Sequence, residues 1–288
     1  MVMAKIPDFR KNHTDRLNRL TEKEIDGFFC KAERWDMSKV VRDGGAVIFP
    51  HSTVGVCGAM TAAAVNAVLD SGAEKVLVIG CLHALTDEMN KARARVAEGG
   101  EPADEELWGI QGPGLKGRTE WENEFSLLNF QFLWDYALRQ RGIIAPELVM
   151  RYPFLAGGRP ELMTGIGELE DLVKQGSAVI ATMDPFHHGI GYGDPPERSL
   201  PPENGGLDLA RQVVRQGLDI LESGDYYAYN RHCVEFKSDG RDVGQVLRHL
   251  AGSCRSKILD VAADDMTGMY GGVPPTWVAG ALILVSVS

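Results

Sequence analysis

Two short apolar runs, Ala46-Val-Ile-Phe49 and Lys75-Val-Leu-Val-Ile-Gly80, flank an Ala-rich stretch with a helical period. Met60, Ala63, Ala64, Ala67 and Val68 fall on one face of that helix, and Ser71-Gly72 ends it. Apolar runs without polar alternation suit strands buried on both faces, which is the habit of a parallel sheet. Strand, helix and strand within about 35 residues make a βαβ unit, expected as a right-handed crossover.

The alternation continues down the chain. Ala178-Val-Ile-Ala-Thr182 reads as a third buried strand and Glu147–Tyr152 as another, with Lys257–Ala262 and Trp277–Val287 as closing strands. Helices are expected over Glu124–Arg141, Glu168–Gln175, Leu207–Ser223 and Val243–Leu250. Gly55 to Gly58 reads as a tight turn and Asp264-Asp265 as a solvated one. Residues 97–118 and 189–206 are rich in Gly and Pro and read as long loops, a kind that often carries function. Residues 1–43 are polar, with only a weak helical period at Leu17, Leu20, Ile25 and Phe28. The expected organisation is therefore an N-terminal extension, 1–43, packed on a single α/β domain, 44–288. That domain has a mostly parallel central sheet covered by helices on both faces.

Charge and cysteine usage narrow the function. Asp and Glu (40) outnumber Lys and Arg (30), giving a net charge of −10. A nucleic-acid partner is not expected, because phosphate binding needs a basic patch. Lys91-Ala-Arg-Ala-Arg95 is the nearest approach to a basic run. The longest apolar stretch, Trp277 to Val287, is about half of the roughly 20 residues a membrane-spanning helix needs. Met1–Pro7 lacks the apolar core of a signal peptide. Five sparse cysteines without a CxxC pair fit a reducing, cytoplasmic setting and no zinc ribbon. The expected partner is a small-molecule substrate. The closing strand is a candidate edge for pairing two copies into a homodimer.

The chemistry is suggested by position. His51 follows one strand, His83 the next, and Asp184, His187 and His188 the third. In an open α/β sheet the C-terminal strand ends form one edge, where ligands bind. With His232, five of the seven histidines sit in such short segments. Converging imidazoles joined by a carboxylate or thiolate suit a transition metal. Cys233 is either a buried small hydrophobe or a thiolate ligand. Neither HExxH nor a GxSxG elbow is present.

At these residues the chain resembles the Memo family, which is related to class III extradiol ring-cleavage dioxygenases. The family's PHAGYxYSG is matched by Pro50-His-Ser-Thr-Val-Gly-Val-Cys-Gly58, and its LGPSH strand end by Val78-Ile-Gly-Cys-Leu-His83. Its EHS corresponds to Glu124-Phe-Ser126, and its SSDFxHxG to Thr182-Met-Asp-Pro-Phe-His-His-Gly189. The late cysteine segment is matched by His232-Cys-Val234 and the closing AAGAL by Val278-Ala-Gly-Ala-Leu282. The motifs run in the family's order from about residue 44 to the end.

The resemblance implies a redox metal, Fe(II) or copper, held by His51, His83 and Cys233. Extradiol relatives use two His and a Glu, which keeps Glu124 open as a ligand. Asp184 and His187 would line the same pocket. His187 oriented by Asp184 is the expected acid/base pair, with His188 beside it. Val54 and Val56 replace the family's aromatic pair, and Phe125 replaces the His of EHS. These three, with Glu124, Phe186 and Tyr192, are the expected substrate-pocket residues. The expected function is a mononuclear non-haem oxidoreductase of dioxygenase type. It would use O₂ as co-substrate and act on a small organic, aromatic or similar, substrate. The alternatives are a metal-dependent hydrolase and a non-catalytic Memo-like adaptor binding metal or peptide.

Overall fold

The apolar runs do become the middle of a sheet. The structure is a computed structural model and describes residues 9–287. Helices α1 (Phe9–Leu17), α2 (Glu22–Ala32) and α3 (Ser38–Arg42) precede β1 (Ala46–Phe49), α4 (Val54–Ser71) and β2 (Lys75–Ile79). Then come α5 (Asp87–Ala97), β3 (Gly109–Gln111), α6 (Leu128–Arg141), β4 (Glu147–Phe154), α7 (Ile166–Lys174), β5 (Ala178–Thr182) and β6 (Phe186–Gly189). The chain closes with α8 (Gly206–Ser223), α9 (Tyr226–Glu235), α10 (Arg241–Ala251), β7 (Cys254–Asp265) and β8 (Thr276–Val287).

These strands form one mixed sheet in the order β3-β4-β2-β5-β1-β8-β6, with β7 also paired to β8. The contiguous strands β4, β2, β5 and β1 are parallel. Every outer pairing is antiparallel, although only β3 and β8 point against the rest. For β7 and β8 the cause is connection length. Parallel neighbours need a crossover of a dozen or more residues. The ten residues 266–275 between β7 and β8 instead close an antiparallel pair. The βαβ unit is split as well: β5 inserts between β1 and β2 and pairs with both.

Successive strand residues face opposite layers. Val47, Phe49, Val76, Val78 and Ile180 join α2, α4 and α6 in one core, while Ala46, Ile48, Leu77, Ile79, Val179 and Ala181 join α7, α8 and α10 in the other. The expected two-sided helical cover is present. Helix α4 has the length and apolarity to cross a membrane, the one such helix among the described residues. Here it is a core helix, packed against α2, α3 and α6, and Gly72 ends it in a left-handed conformation at φ 78°. Helices α1 to α3 lie on α4 and α6. Residues 1–8, which include the Met1–Pro7 segment, and Ser288 lie outside the described residues.

Several local expectations need correction. Gly55 to Gly58 is the first turn of α4, not a separate turn. The helix expected from Glu124 starts at Leu128, because the Glu124 side chain accepts the N–H groups of Phe125 and Ser126 and holds them in a loop. Asp264 is buried in β7 and accepts the Thr53 N–H at 2.7 Å. The closing strand offers no long free edge, since β1 and β6 pair along one side of it and β7 along the other. The expected loops carry β3 and, within 189–206, three single 3₁₀ turns.

Candidate metal centre

The C-terminal ends of β1, β2 and β5 are neighbours. They deliver His51, His83 and Asp184 to one edge of the sheet. His51 Nδ1 lies 3.1 Å from Thr182 Oγ1. The Thr182 hydroxyl donates its proton to the Phe49 carbonyl at 2.9 Å, so its oxygen accepts from Nδ1–H. The lone pair of a neutral His51 is thereby left on Nε2. His83 Nδ1 lies 2.9 Å from Glu124 Oε1, a pure acceptor when ionised, which again leaves the lone pair on Nε2.

Both Nε2 atoms face one carboxylate oxygen. Asp239 Oδ2 is 3.0 Å from His51 Nε2 and 3.6 Å from His83 Nε2. The other oxygen, Oδ1, accepts the Asp184 N–H at 2.7 Å, whereas Oδ2 is buried without a hydrogen-bond partner. Three electron-rich atoms pointed at one another require either protons or a cation between them. Ligand bonds of about 2.1 Å meeting at roughly 90–110° separate ligand atoms by about 3.0–3.5 Å, close to the spacing seen. His51, His83 and Asp239 thus have the donor types and the approach that a divalent metal needs. Each imidazole also has its second nitrogen tied, as ligating histidines do.

The electrostatics follow from burial. Burial disfavours a charged His83, but Glu124 and Asp239 overcome it and lift its pKa to about 10. Burial works against His51 too, and Asp239 and Asp184 reverse it to raise that pKa. Burial would raise Glu124, yet His83 and the surrounding N–H donors hold it down at about 2. Asp239 stays well below the usual carboxylate range: burial opposes this and the charge of His51 dominates. Burial lifts Asp184 to about 7, with His51 pulling down and Asp239 pushing up. Burial lowers His187 to about 4, so its imidazole is neutral at pH 7.

The centre lies against a cavity of about 720 Å³. Phe125 stacks on His83 with ring centroids 4.4 Å apart, and Tyr192 and Tyr270 form another wall with centroids 4.6 Å apart. Phe9 and His13 of α1 line it as well. No family model matches the chain, and no curated protein matches it either.

The residues singled out from the sequence divide into two groups. His51, His83, Asp184, His187, Phe125 and Tyr192 all line the cavity. Asp184 does not orient His187, however. It accepts the His51 N–H at 3.2 Å, and its Oδ2 stands 3.8 Å from His51 Nε2. His187 Nε2 is 4.0 Å from Asp239 Oδ2, and its Nδ1 is buried without a partner. Glu124 is buried behind His83.

The remainder fall elsewhere. Strand alternation sends His187 toward the cavity and its neighbours Phe186 and His188 the other way. Phe186 packs on Trp277, and His188 Nδ1 meets Asp194 at 2.9 Å while its Nε2 accepts the Leu200 N–H at 2.9 Å. His188 thus fastens the 189–206 segment. Val54 is buried in the first turn of α4 and Val56 is exposed; Ser52 lines the cavity instead. His232 is on α9, against Phe236. Cys233, also on α9, is outside the ligand group, and burial pushes its thiol up to about 12, away from a thiolate. Asp239 takes the third position, from the turn before α10. In the sequence it stands in Ser238-Asp-Gly240, an ordinary turn composition with nothing to mark it.

Proposed function

We propose that the chain is a metal-dependent oxidoreductase of the Memo-like, extradiol-dioxygenase-related type. It would use Fe(II), with O₂ as co-substrate, on a small organic substrate with a planar ring. The reading rests on one observation: His51 Nε2, His83 Nε2 and Asp239 Oδ2 converge beside a cavity, within 3.0–3.6 Å along the two His–Asp edges. Two histidines and one carboxylate with open positions are the donor set of non-haem Fe(II) oxygenases. The absence of a thiolate from this set favours iron over copper. When bound, the iron would supply a site where O₂ and substrate meet.

The protein's own groups have clear parts. Phe125 and Tyr192 offer flat faces to a ring. His187, neutral and with its Nε2 on the side of the Asp239 cluster, is suited to take a proton from the substrate and return it. Asp184 holds the backbone of His51. Five free cysteines support a reducing compartment such as the cytoplasm.

The test is metal content of protein purified without oxygen, wild type beside His83→Ala and His51→Ala, followed by O₂ uptake on adding Fe(II). About one iron per chain in the wild type, lost in both variants, is expected. Tight zinc without O₂ uptake would replace this reading with the hydrolytic one. No metal in any sample would leave a binding protein.

A further inference from the structure

A second cleft, of about 440 Å³, adjoins the cavity. The two share His83, Asn90, Arg93, His187, Tyr192 and Asp239 in their walls, so they are continuous. Three cations line the cleft. Arg93 comes from α5, Arg241 is the first residue of α10, and Lys237 precedes the Asp239 turn.

These cations are unequally satisfied. Lys237 pairs with Asp194. Arg93 donates from Nη2 to the Leu82 carbonyl at 2.6 Å and stands 3.7 Å from Asp242, but its Nε is buried without a partner. Arg241 Nε is also buried without a partner, and among the described residues Arg241 makes no ion pair. The two guanidiniums are near enough to disfavour each other: burial and then Arg241 act to lower the pKa of Arg93, against Asp242. Asp242 itself is engaged by the Ala156 N–H at 2.8 Å. Two guanidiniums therefore line one cleft with a single carboxylate, Asp242, near Arg93 and, among the described residues, none paired to Arg241, and an oxyanion held between them would supply the missing counter-charge. The chain as a whole carries −10, so this basic wall is a local feature and not part of a general positive field.

We propose that Arg93 and Arg241 form a subsite for an anionic group of the substrate, making that substrate a small organic acid bearing a carboxylate or a phosphate. Its ring would then extend through the shared walls toward Phe125 and the His51, His83 and Asp239 cluster. The inference rests on the metal-centre reading for the direction in which the substrate lies, but the anion subsite is testable without it.

The experiment is a ¹⁹F NMR titration of the full chain, metal-free and metal-loaded. The probes are 4-fluorobenzoate, 4-fluorophenyl phosphate and the neutral 4-fluorobenzamide. At least one anion is expected to bind about tenfold more tightly than the amide, and in the metal-free protein too. The ratio of carboxylate to phosphate says which oxyanion the subsite takes. Arg241→Gln, which breaks no ion pair, should remove about tenfold of the anion's affinity and leave the amide unchanged. Arg93→Gln, checked for folding by circular dichroism, should do the same. Equal binding of acids and amide, or undiminished acid binding in Arg241→Gln, overturns the proposal. Metal stoichiometry is read on the same samples. A protein that prefers the acid but holds no metal would keep the subsite and lose the metal-centre reading.

Discussion

Glu124 holds His83 at two points: Oε1 lies 2.9 Å from the ring Nδ1, and Oε2 accepts the backbone N–H of the same histidine at 2.6 Å. One carboxylate thereby fixes the tautomer, the ring orientation and the backbone of a proposed ligand. Such partners also raise the basicity of the ligating nitrogen. Glu124→Gln keeps the shape and removes the charge. Metal affinity should fall about 10–100-fold, as measured by competition with a chelator. A variant that binds metal as tightly as the wild type would show that this carboxylate is only a structural hydrogen-bond partner.

The third ligand separates two ideas about the centre. The resemblance points to Cys233, while the geometry points to Asp239, whose Oδ2 has the histidines at 3.0 and 3.6 Å. Asp239→Asn retains an acceptor for the Asp184 N–H but loses the anionic ligand. It should lower metal affinity by at least about a hundredfold. Cys233→Ser should leave the metal content of purified protein unchanged. The opposite pattern, with metal lost from the serine variant and kept by the asparagine one, would restore the thiolate as the ligand.

The same two residues illustrate what a sequence can reveal. His51, His83 and Asp184 were legible because each follows a short apolar strand, and parallel strands align their C-terminal ends. The buried strands and long helices were legible for a similar local reason, through hydrophobic period. Asp239 was not, because its place depends on how α9 and α10 fold back over the sheet edge. His188 looked equivalent to His187 because a loop was expected there. The strand β6 exists through its pairing with β8, residues remote in the chain, and that pairing turns one histidine inward and the other away. The antiparallel margins of the sheet are likewise long-range pairings that local periodicity does not encode.

Acidity and metal binding should be opposed at this site. His83 is raised from an ordinary 6.5 to about 10, and Glu124 is lowered from 4.5 to about 2. For the metal-free protein, the stability from His83 is full below pH 6.5 and is lost as pH rises through about 10. The contribution of Glu124 is full above 4.5 and is lost as pH falls through about 2. They are two halves of one ion pair, so the metal-free melting temperature should be highest between these limits. A cation must displace the imidazole protons, so metal affinity should climb from pH 6.5 toward 10, with protons released on binding. Calorimetry in buffers of different ionisation enthalpy counts those protons. Affinity that stays level across this window would mean that His83 does not ligate through a deprotonated Nε2.

The position of His51 depends on a residue that never touches it chemically. Gly280 of β8 passes so close to the residue before His51 that a Cβ there would lie 2.6 Å from Pro50 Cβ and 3.3 Å from Ser52 Oγ. The proline ring cannot rotate out of the way, and β8 is pinned by β1 on one side and β7 on the other. The Pro50–Ser52 segment must therefore yield in Gly280→Ala, carrying His51 Nε2 away from Asp239. Overpacking of this kind typically costs about 1–3 kcal/mol. The variant should melt earlier and also bind metal more weakly. Gly55→Ala is the matched control: it lies in the first turn of α4 with nothing within 4 Å of its Cβ position. There alanine should be neutral or stabilise by up to about 1 kcal/mol. If Gly280→Ala loses stability but keeps full metal affinity, the close approach supports packing alone, and the placement of His51 must come from Thr182 and Asp184.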